Sequence, residues 1–322
     1  MKALVIGDPH FKQNNSHDMT LMIDQLVNIA TDKQPDVIIV LGDVLDRHDI
    51  IHMSPLCQAV HFLKQLQDIS PLIVLIGNHD RKNNKVFLTH EHPFTALQSW
   101  SNTTIIDTPQ VITIKNIKMT FVPYVEPGRF SEAVSLVDAT GSILFCHQEF
   151  KGAQMGAITS IHGDEWHENF IISGHIHDYQ VLNNILYLGT PIQHAYSDGE
   201  KYVGLFTFNK VIYHYDELQW EKIQLNLPLK KIIHLTCKQL KTFKLPDHIQ
   251  AKIVVKGSLS EIKKCMKLNL DLKKQAKIVY VDNSLPTKVE ATTEKFATLL
   301  VQQIKTPSVM NVYTELFGEL KK

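Results

Sequence analysis

Five times before residue 178 the chain runs through a short apolar stretch and ends it with metal-binding residue types. The stretches are LVIGDPH (4–10), IIVLGDVLD (38–46), IVLIGNHD (73–80), ILFCHQEF (143–150) and FIISGHIH (170–177). A short apolar run bounded by turn residues reads as a strand buried on both faces, the kind that parallel sheets contain. The carboxyl ends of such strands are where open α/β sheets place their sites. Four of the five carry Gly at the exit, which lets the backbone turn sharply and leaves room for an ion or anion. Five strand ends, each delivering Asp, Asn or His, are expected to converge on one place.

The intervening sequence supports this. Met19, Met22, Ile23, Leu26, Val27 and Ala30 recur at helical spacing over 18–30, and Leu56, Val60, Leu63 and Leu66 do so near 55–69. With strands at 2–7, 37–41 and 72–76, the result is a β-α-β-α-β rhythm and parallel strands with right-handed crossovers. The pattern then shifts toward antiparallel pairing. Val111–Ile114 and Ile117–Val122 flank Lys115-Asn116, Val181–Leu182 and Ile185–Leu188 flank Asn183-Asn184, and Tyr202–Phe208 is expected to pair with Val211–Tyr215 across Asn209-Lys210. Residues 129–137 read as a helix. The fold class is α/β (α+β), with two packed mixed β-sheets flanked by helices. Pro228 marks a linker, giving a large domain over 1–228 and a small α+β module over 229–284. A C-terminal helical tail over 285–322, with Phe296, Leu299, Leu300, Ile304 and Leu316 at helical spacing, is expected either to dock on its own domain or to bind a partner.

Composition limits the function classes. Hydrophobic content of 44% and charge of 20% are those of an ordinary soluble globular chain. No apolar run approaches the ~20 residues needed to span a bilayer, and the first residues enter a strand with no basic-then-apolar leader, so a cytoplasmic or nuclear location is expected. Cys57, Cys146, Cys237 and Cys265 lack close paired spacing and read as reduced, structural residues. The net charge of zero hides an asymmetry: residues 221–322 hold 19 Lys against 9 acidic residues, a net of +10, which leaves −10 on 1–220. A basic C-terminal portion suits a polyanion, and an acidic N-terminal one suits cations.

Asp8, His10, Asp43, Asn78, His147, His175 and His177 make a set of mixed N and O ligands without Cys. Seven are too many for one tetrahedral zinc and suit two divalent ions sharing a carboxylate. Two ions ~3.5–4 Å apart bind a phosphoryl oxygen, lower the pKa of a water and steady both attacking and leaving oxygens, so phosphoester hydrolysis is the natural chemistry. No G-x-x-x-x-G-K-[ST] occurs, so any ATPase activity belongs to another chain.

In order and separation the motifs D-x-H, G-D-x-x-D, G-N-H-D, a lone His after a strand, and G-H-x-H resemble the calcineurin-like metallophosphoesterase superfamily. The resemblance implies a four-layer fold with Asp8, His10 and His177 on one ion, Asn78, His147 and His175 on the other, and Asp43 bridging. It also implies that His79 is the catalytic histidine acting on the leaving oxygen, with Asp46 and Asp80 orienting their neighbours. His48, His52, His90, His92, His162, His167 and His194 match no motif ligand and are read as surface or supporting residues.

Within the superfamily, Phe121-Val122-Pro123-Tyr124, the run Tyr187–His194 and the run Ser197–Gly204 resemble the SbcD-type DNA repair nucleases, in particular their phage- and viral-sized members. Asp46 stands where the cellular nucleases often carry His. The branch implies a DNA exo/endonuclease that uses manganese, works with an SbcC-type SMC-like ATPase and forms a homodimer. Iron and zinc also suit the ligand set. The alternative within the same fold is a phosphoesterase acting on nucleotides, phosphoproteins or other small esters.

Overall fold

The computed structural model of the chain describes residues 1–48, 50–266, 272 and 275–283. The tail expected over 285–322 lies outside the described residues. In chain order the first elements are β1 (Lys2–Ile6), α1 (Ser16–Lys33), β2 (Val37–Val40), α2 (Met53–Gln67), β3 (Leu72–Leu75) and β4 (Thr103–Ile106). They are followed by β5 (Gln110–Ile114), β6 (Ile117–Val122), α3 (Phe130–Val134), β7 (Ile143–His147), β8 (Gln154–Met155), β9 (Ile158–Thr159) and β10 (Ile171–Gly174). Then come β11 (Gln180–Leu182), β12 (Ile185–Tyr187), β13 (Val203–Thr207), β14 (Gln219–Ile223), β15 (Leu229–Thr236), α4 (Cys237–Leu240), β16 (Ile249–Gly257), α5 (Leu259–Cys265) and β17 (Lys277–Asp282).

Two six-stranded mixed sheets form the larger unit, in the orders β14-β13-β1-β2-β3-β4 and β11-β12-β10-β7-β6-β5. The continuous apolar runs are explained by alternation between two covered faces. Ala3, Val5, Val37, Ile39, Ile73 and Leu75 point into the core shared with the second sheet. Their neighbours Leu4, Ile6, Ile38, Val40, Leu72 and Val74 point to the opposite core, under α1 and α2. A strand buried on both faces cannot show polar alternation. Helix α1 supplies Met19, Met22, Ile23, Leu26 and Ala30 to that outer core. It stops at Gln34, a left-handed residue whose N–H donates to Ala30 O. The far face of the second sheet packs on α3 and on Phe150, Ala153 and Trp166.

Three expectations are corrected. Helix α3 covers only Phe130–Val134, because the chain turns at Ser135 and Leu136 through bonds to Ser131 O and Ala133 O, the second of 3₁₀ type. Strand β13 does not pair with 211–215. Its antiparallel partners are β1 and β14, and Trp220 of β14 stacks on Phe206 at 5.1 Å. Residues 211–214 instead lead into a 3₁₀ turn at Tyr215–Glu217, where Glu217 Oε1 accepts from Tyr213 N and His214 N and so replaces the ladder. Among the cysteines, all four are free, but Cys57 is exposed and does not contribute to a core.

The chain divides into two compact units, one of 1–231 with 247–250 and a second of 232–246 with residues from 251 onward. The second unit includes most of a three-stranded sheet in the order β15-β16-β17. In β16, Ala251, Ile253 and Val255 are buried while alternate residues are not. Helix α5 starts in a capping box in which Glu261 N donates to Ser258 Oγ and Ser258 N donates to Glu261 Oε2. No helix among the described residues is long and apolar enough to cross a membrane.

Candidate metal centre

Strands β1, β2, β3, β7 and β10 run parallel within their sheets, so their carboxyl ends lie together. Register places Gly174 beside His147, which brings His175 next to it. Three of the expected ligands take left-handed backbone conformations that non-glycine residues avoid: His10 (φ 49°), Asp43 (φ 46°) and His175 (φ 79°). Such strain persists only where the surroundings enforce it, and functional sites are where it gathers. The glycines make room for it. A Cβ on Gly174 would stand 2.5 Å from Asp8 Oδ1, and one on Gly77 2.2 Å from Asp43 Oδ1.

All seven expected ligands come together. Potential ligand atoms of Asp8, His10 and His177 lie within 4.8 Å of one another, and so do those of Asp43, His147 and His175. Asn78 Oδ1 joins the second group, 3.0 Å from His147 Nε2 and 2.8 Å from His175 Nδ1. Asp43 Oδ2 faces both, 3.7 Å from His10 Nε2 and 3.3 Å from His147 Nε2.

The donor set fits divalent ions. His147 Nδ1 lies 2.8 Å from Leu41 O, which can only accept, so that nitrogen carries a proton and Nε2 is the nitrogen turned inward, able to ligate an ion that displaces its proton. There it meets Asn78 Oδ1 and Asp43 Oδ2, both acceptors. On the other side His10 Nε2 faces His177 Nε2 at 3.0 Å, and buried Asp8 Oδ1 and His10 Nδ1 have no hydrogen-bond partner among the described residues. Converging buried carboxylate, amide and imidazole atoms, two of them without a hydrogen-bond partner, suit cations.

The electrostatics agree. Burial alone would raise Asp43, but His147, His10 and His79 outweigh it and hold the carboxyl well below the usual range. Burial drives Asp8 well above its ordinary value despite His147. It also takes Asp80 up to about 7, with Asp43 adding to the rise. Burial would lower His147, yet Asp43 and Asp8 pull it up to about 9. His175 falls to about 3, from burial and then from His147. Asp43 is therefore the anionic centre of the buried site, and it draws His147 toward its charged form while Asp8 and Asp80 are pushed toward their neutral ones.

The supporting residues are placed as follows. His79 Nδ1 lies 2.7 Å from Asp46 O, so its Nε2 faces the cluster, 3.9 Å from Asp43 Oδ2. Asp80 accepts from Val44 N, Leu45 N and Gly77 N, and so ties the second turn to the third. Asp46 is bonded to Lys12 Nζ at 3.2 Å. Two histidines assigned no role by motif lie against this group. His48 stacks on His79 at 4.7 Å and its Nδ1 meets Asn78 O at 2.9 Å. His194 sits edge-on to His10 at 5.3 Å with both ring nitrogens buried. The run 187–204 reaches the site as well, because Thr190 N and Lys201 Nζ both donate to His177 O. Tyr124 stacks on His175 at 5.8 Å. Only the turn residues around Gly189-Thr190-Pro191 hinted at His194, since a loop side chain leaves no periodic signal.

Residues 1–179, which contain every expected ligand, match the family model described as calcineurin-like phosphoesterase. Protein 244L of invertebrate iridescent virus 6, which bears a provisional phosphoesterase name, is 39% identical over 272 residues, covering 81% of this chain and 96% of its own. Protein 078R of invertebrate iridescent virus 3, similarly named, is 37% identical over 273 residues, covering 81% and 78%. The DNA double-strand break repair protein Mre11 of Saccharolobus solfataricus is 30% identical over 163 residues, covering 47% and 42%. With the acceptor-lined site on the same residues that the family model spans, the chain belongs to the calcineurin-like phosphoesterases, hydrolases that work with divalent metal ions.

Proposed function

We propose that the chain is a metal-dependent phosphodiester hydrolase acting on DNA, the exo/endonuclease subunit of a double-strand-break-processing complex with an SbcC-type SMC-like ATPase. The observation that carries the choice of DNA is the similarity to a protein named for DNA double-strand break repair. A cavity of about 240 Å³ beside His79, lined by Arg47, His48, Arg81 and Lys82 among others, suits a phosphate backbone. The lysine-rich module over 229–284 would add sequence-independent phosphate contacts. Manganese as the metal and homodimer formation belong to the same reading.

Asp8, His10 and His177 would hold one ion, Asn78, His147 and His175 the other, with Asp43 shared. Bound ions supply Lewis acidity toward a phosphoryl oxygen and lower the pKa of a water. The chain's own residues do the rest. Asp43 is kept ionised by the imidazoles around it. Asp80 holds the turn that carries Asp43. The Asp46 carbonyl accepts from His79 Nδ1 and so aims Nε2 at the cluster, from which the protonated ring would give a proton to the leaving oxygen.

A second reading, hydrolysis of small soluble phosphoesters, is favoured by the two viral relatives, which match far more of the chain and carry only phosphoesterase names. End-labelled duplex and single-stranded DNA, incubated with the purified chain and manganese beside bis(p-nitrophenyl) phosphate, separates the two. Degradation of DNA that disappears in His79→Ala supports the nuclease. Turnover of the small ester alone, unchanged by an added SbcC-type partner, transfers the assignment to the second reading.

A further inference from the structure

We infer that Glu149, two residues beyond the His147 ligand position and given no role so far, is the positioning residue for His175. The inference rests on the two-ion reading above.

His175 is the most constrained residue of the site. Its backbone is strained at φ 79°, its N–H donates to Asp8 Oδ2 at 2.7 Å, and its Nδ1 faces Asn78 Oδ1 and His147 Nε2. A ring that turns Nδ1 inward must carry its proton on Nε2 to keep the Nδ1 lone pair free. Glu149 Oε2 lies 3.9 Å from that Nε2. That is ion-pair rather than hydrogen-bond distance; a carboxylate on that side favours the Nε2–H tautomer electrostatically, and where it closes on the N–H of a ligating histidine it fixes the ring plane. Tyr124 closes one face of the same ring, which leaves rotation about the side-chain bonds as the freedom that Glu149 removes.

Glu149 is itself held. Its Oε1 accepts from Ser160 Oγ at 2.5 Å, and its backbone O accepts from Asp164 N. Ser160 follows the β8–β9 hairpin, so the carboxylate joins that hairpin to the site, and its two oxygens have separate tasks. Ser160→Ala removes the hairpin link, with the bond that Ser160 Oγ accepts from Gly163 N, and leaves the carboxylate beside His175, while Glu149→Ala removes the carboxylate from both.

Calorimetric titration with Mn²⁺ reads the effect without any activity measurement. Wild type is expected to take up two ions. Glu149→Ala should weaken one of the two by about 10–100-fold and leave the other unchanged, the loss typical for removal of such an outer carboxylate. Glu149→Gln, which keeps an acceptor of the same reach, should recover part of it, and Ser160→Ala should bind both ions as wild type does. The inference is overturned if Glu149→Ala binds both ions normally, or if Ser160→Ala shows the same loss, since the carboxylate would then act through the hairpin alone. A wild type that binds fewer than two ions fails the underlying reading, and the inference falls with it.

Discussion

Gly77→Ala should both destabilise the protein and dismantle its metal centre. The added Cβ would sit 2.2 Å from Asp43 Oδ1 and 2.3 Å from Asp43 N. The second approach is to backbone, so no rotamer change relieves it, and the turn at 77–80 must separate from the turn at 42–46 by roughly 1 Å to reach ordinary van der Waals distances. Three hydrogen bonds to carboxylates span that gap: His79 N to Asp43 Oδ1 at 2.8 Å, Val44 N to Asp80 Oδ2 at 3.2 Å and Leu45 N to Asp80 Oδ1 at 2.9 Å. Overpacking costs about 1–3 kcal/mol, and hydrogen bonds to charged groups about 1.5–3 kcal/mol each. With the weakest of the three broken, the expected destabilisation is about 3–5 kcal/mol, roughly 6–20 °C in Tm for a unit of this size. Thermal and urea unfolding in EDTA measure it, and Mn²⁺ calorimetry measures the site. Gly199→Ala is the control, because a Cβ there meets nothing within 4 Å. If Gly77→Ala unfolded within about 0.5 kcal/mol of wild type and bound Mn²⁺ normally, the close approach of the two turns would not be what positions Asp43.

Iodoacetamide at pH 8 should label Cys57 in the native protein and leave Cys146 unmodified until unfolding, because burial pushes the Cys146 thiol up to about 12; peptide mapping before and after urea decides this. His90 Nδ1 lies 2.7 Å from Asp107 Oδ2, and that hydrogen bond raises the pKa of His90. A folded-state pKa above the unfolded value of about 6.5 gives stability that is full below that value and vanishes as pH rises through the folded pKa. The urea midpoint of wild type should therefore exceed that of His90→Ala by more at pH 6 than at pH 8, a small effect because His90 is largely exposed, and an equal difference at both pH values would refute it. Reversal of Lys256, Lys263 and Lys264 to Glu should weaken DNA binding uniformly across sequences. It should also reduce the slope of log affinity against log salt by about 1 for each phosphate no longer neutralised; an unchanged slope in fluorescence anisotropy would remove the module from the DNA-binding surface.

Much of the site was legible because its signals are local. An apolar run that ends in Gly-Asp, Gly-Asn-His-Asp or Gly-His-x-His states at once that a doubly buried strand is present and what leaves its end. Even the lone His147 could be found, since it terminates such a run. Local signals also gave the turns at Lys115-Asn116 and Asn183-Asn184, where β5 pairs with β6 and β11 with β12. The partner of β13 was not legible in the same way. The nearer segment, 211–215, is more apolar than β14, yet the fit of Trp220 on Phe206 and the capture of Tyr213 N and His214 N by Glu217 favour the farther one. His48, Glu149 and His194 were missed for a related reason: each lies on a loop with no period, and contacts to residues distant in sequence bring it to the site, polar ones for His48 and Glu149 and ring packing on His10 for His194.

Sequence by itself determined the five strands that end at the site, the two helices under the first sheet and the identity of the seven converging residues, because side-chain periodicity and turn chemistry act over a few residues. Tertiary structure decided which acceptor faces which. The parallel register of β7 and β10 sets His175 beside His147, the close approach of two turns at Gly77 puts Asp43 between the two groups, and packing of one sheet on the other brings His177 to within 3.0 Å of His10. Those distances depend on how independently specified elements pack, and packing energy is a property of the assembled core rather than of any one segment.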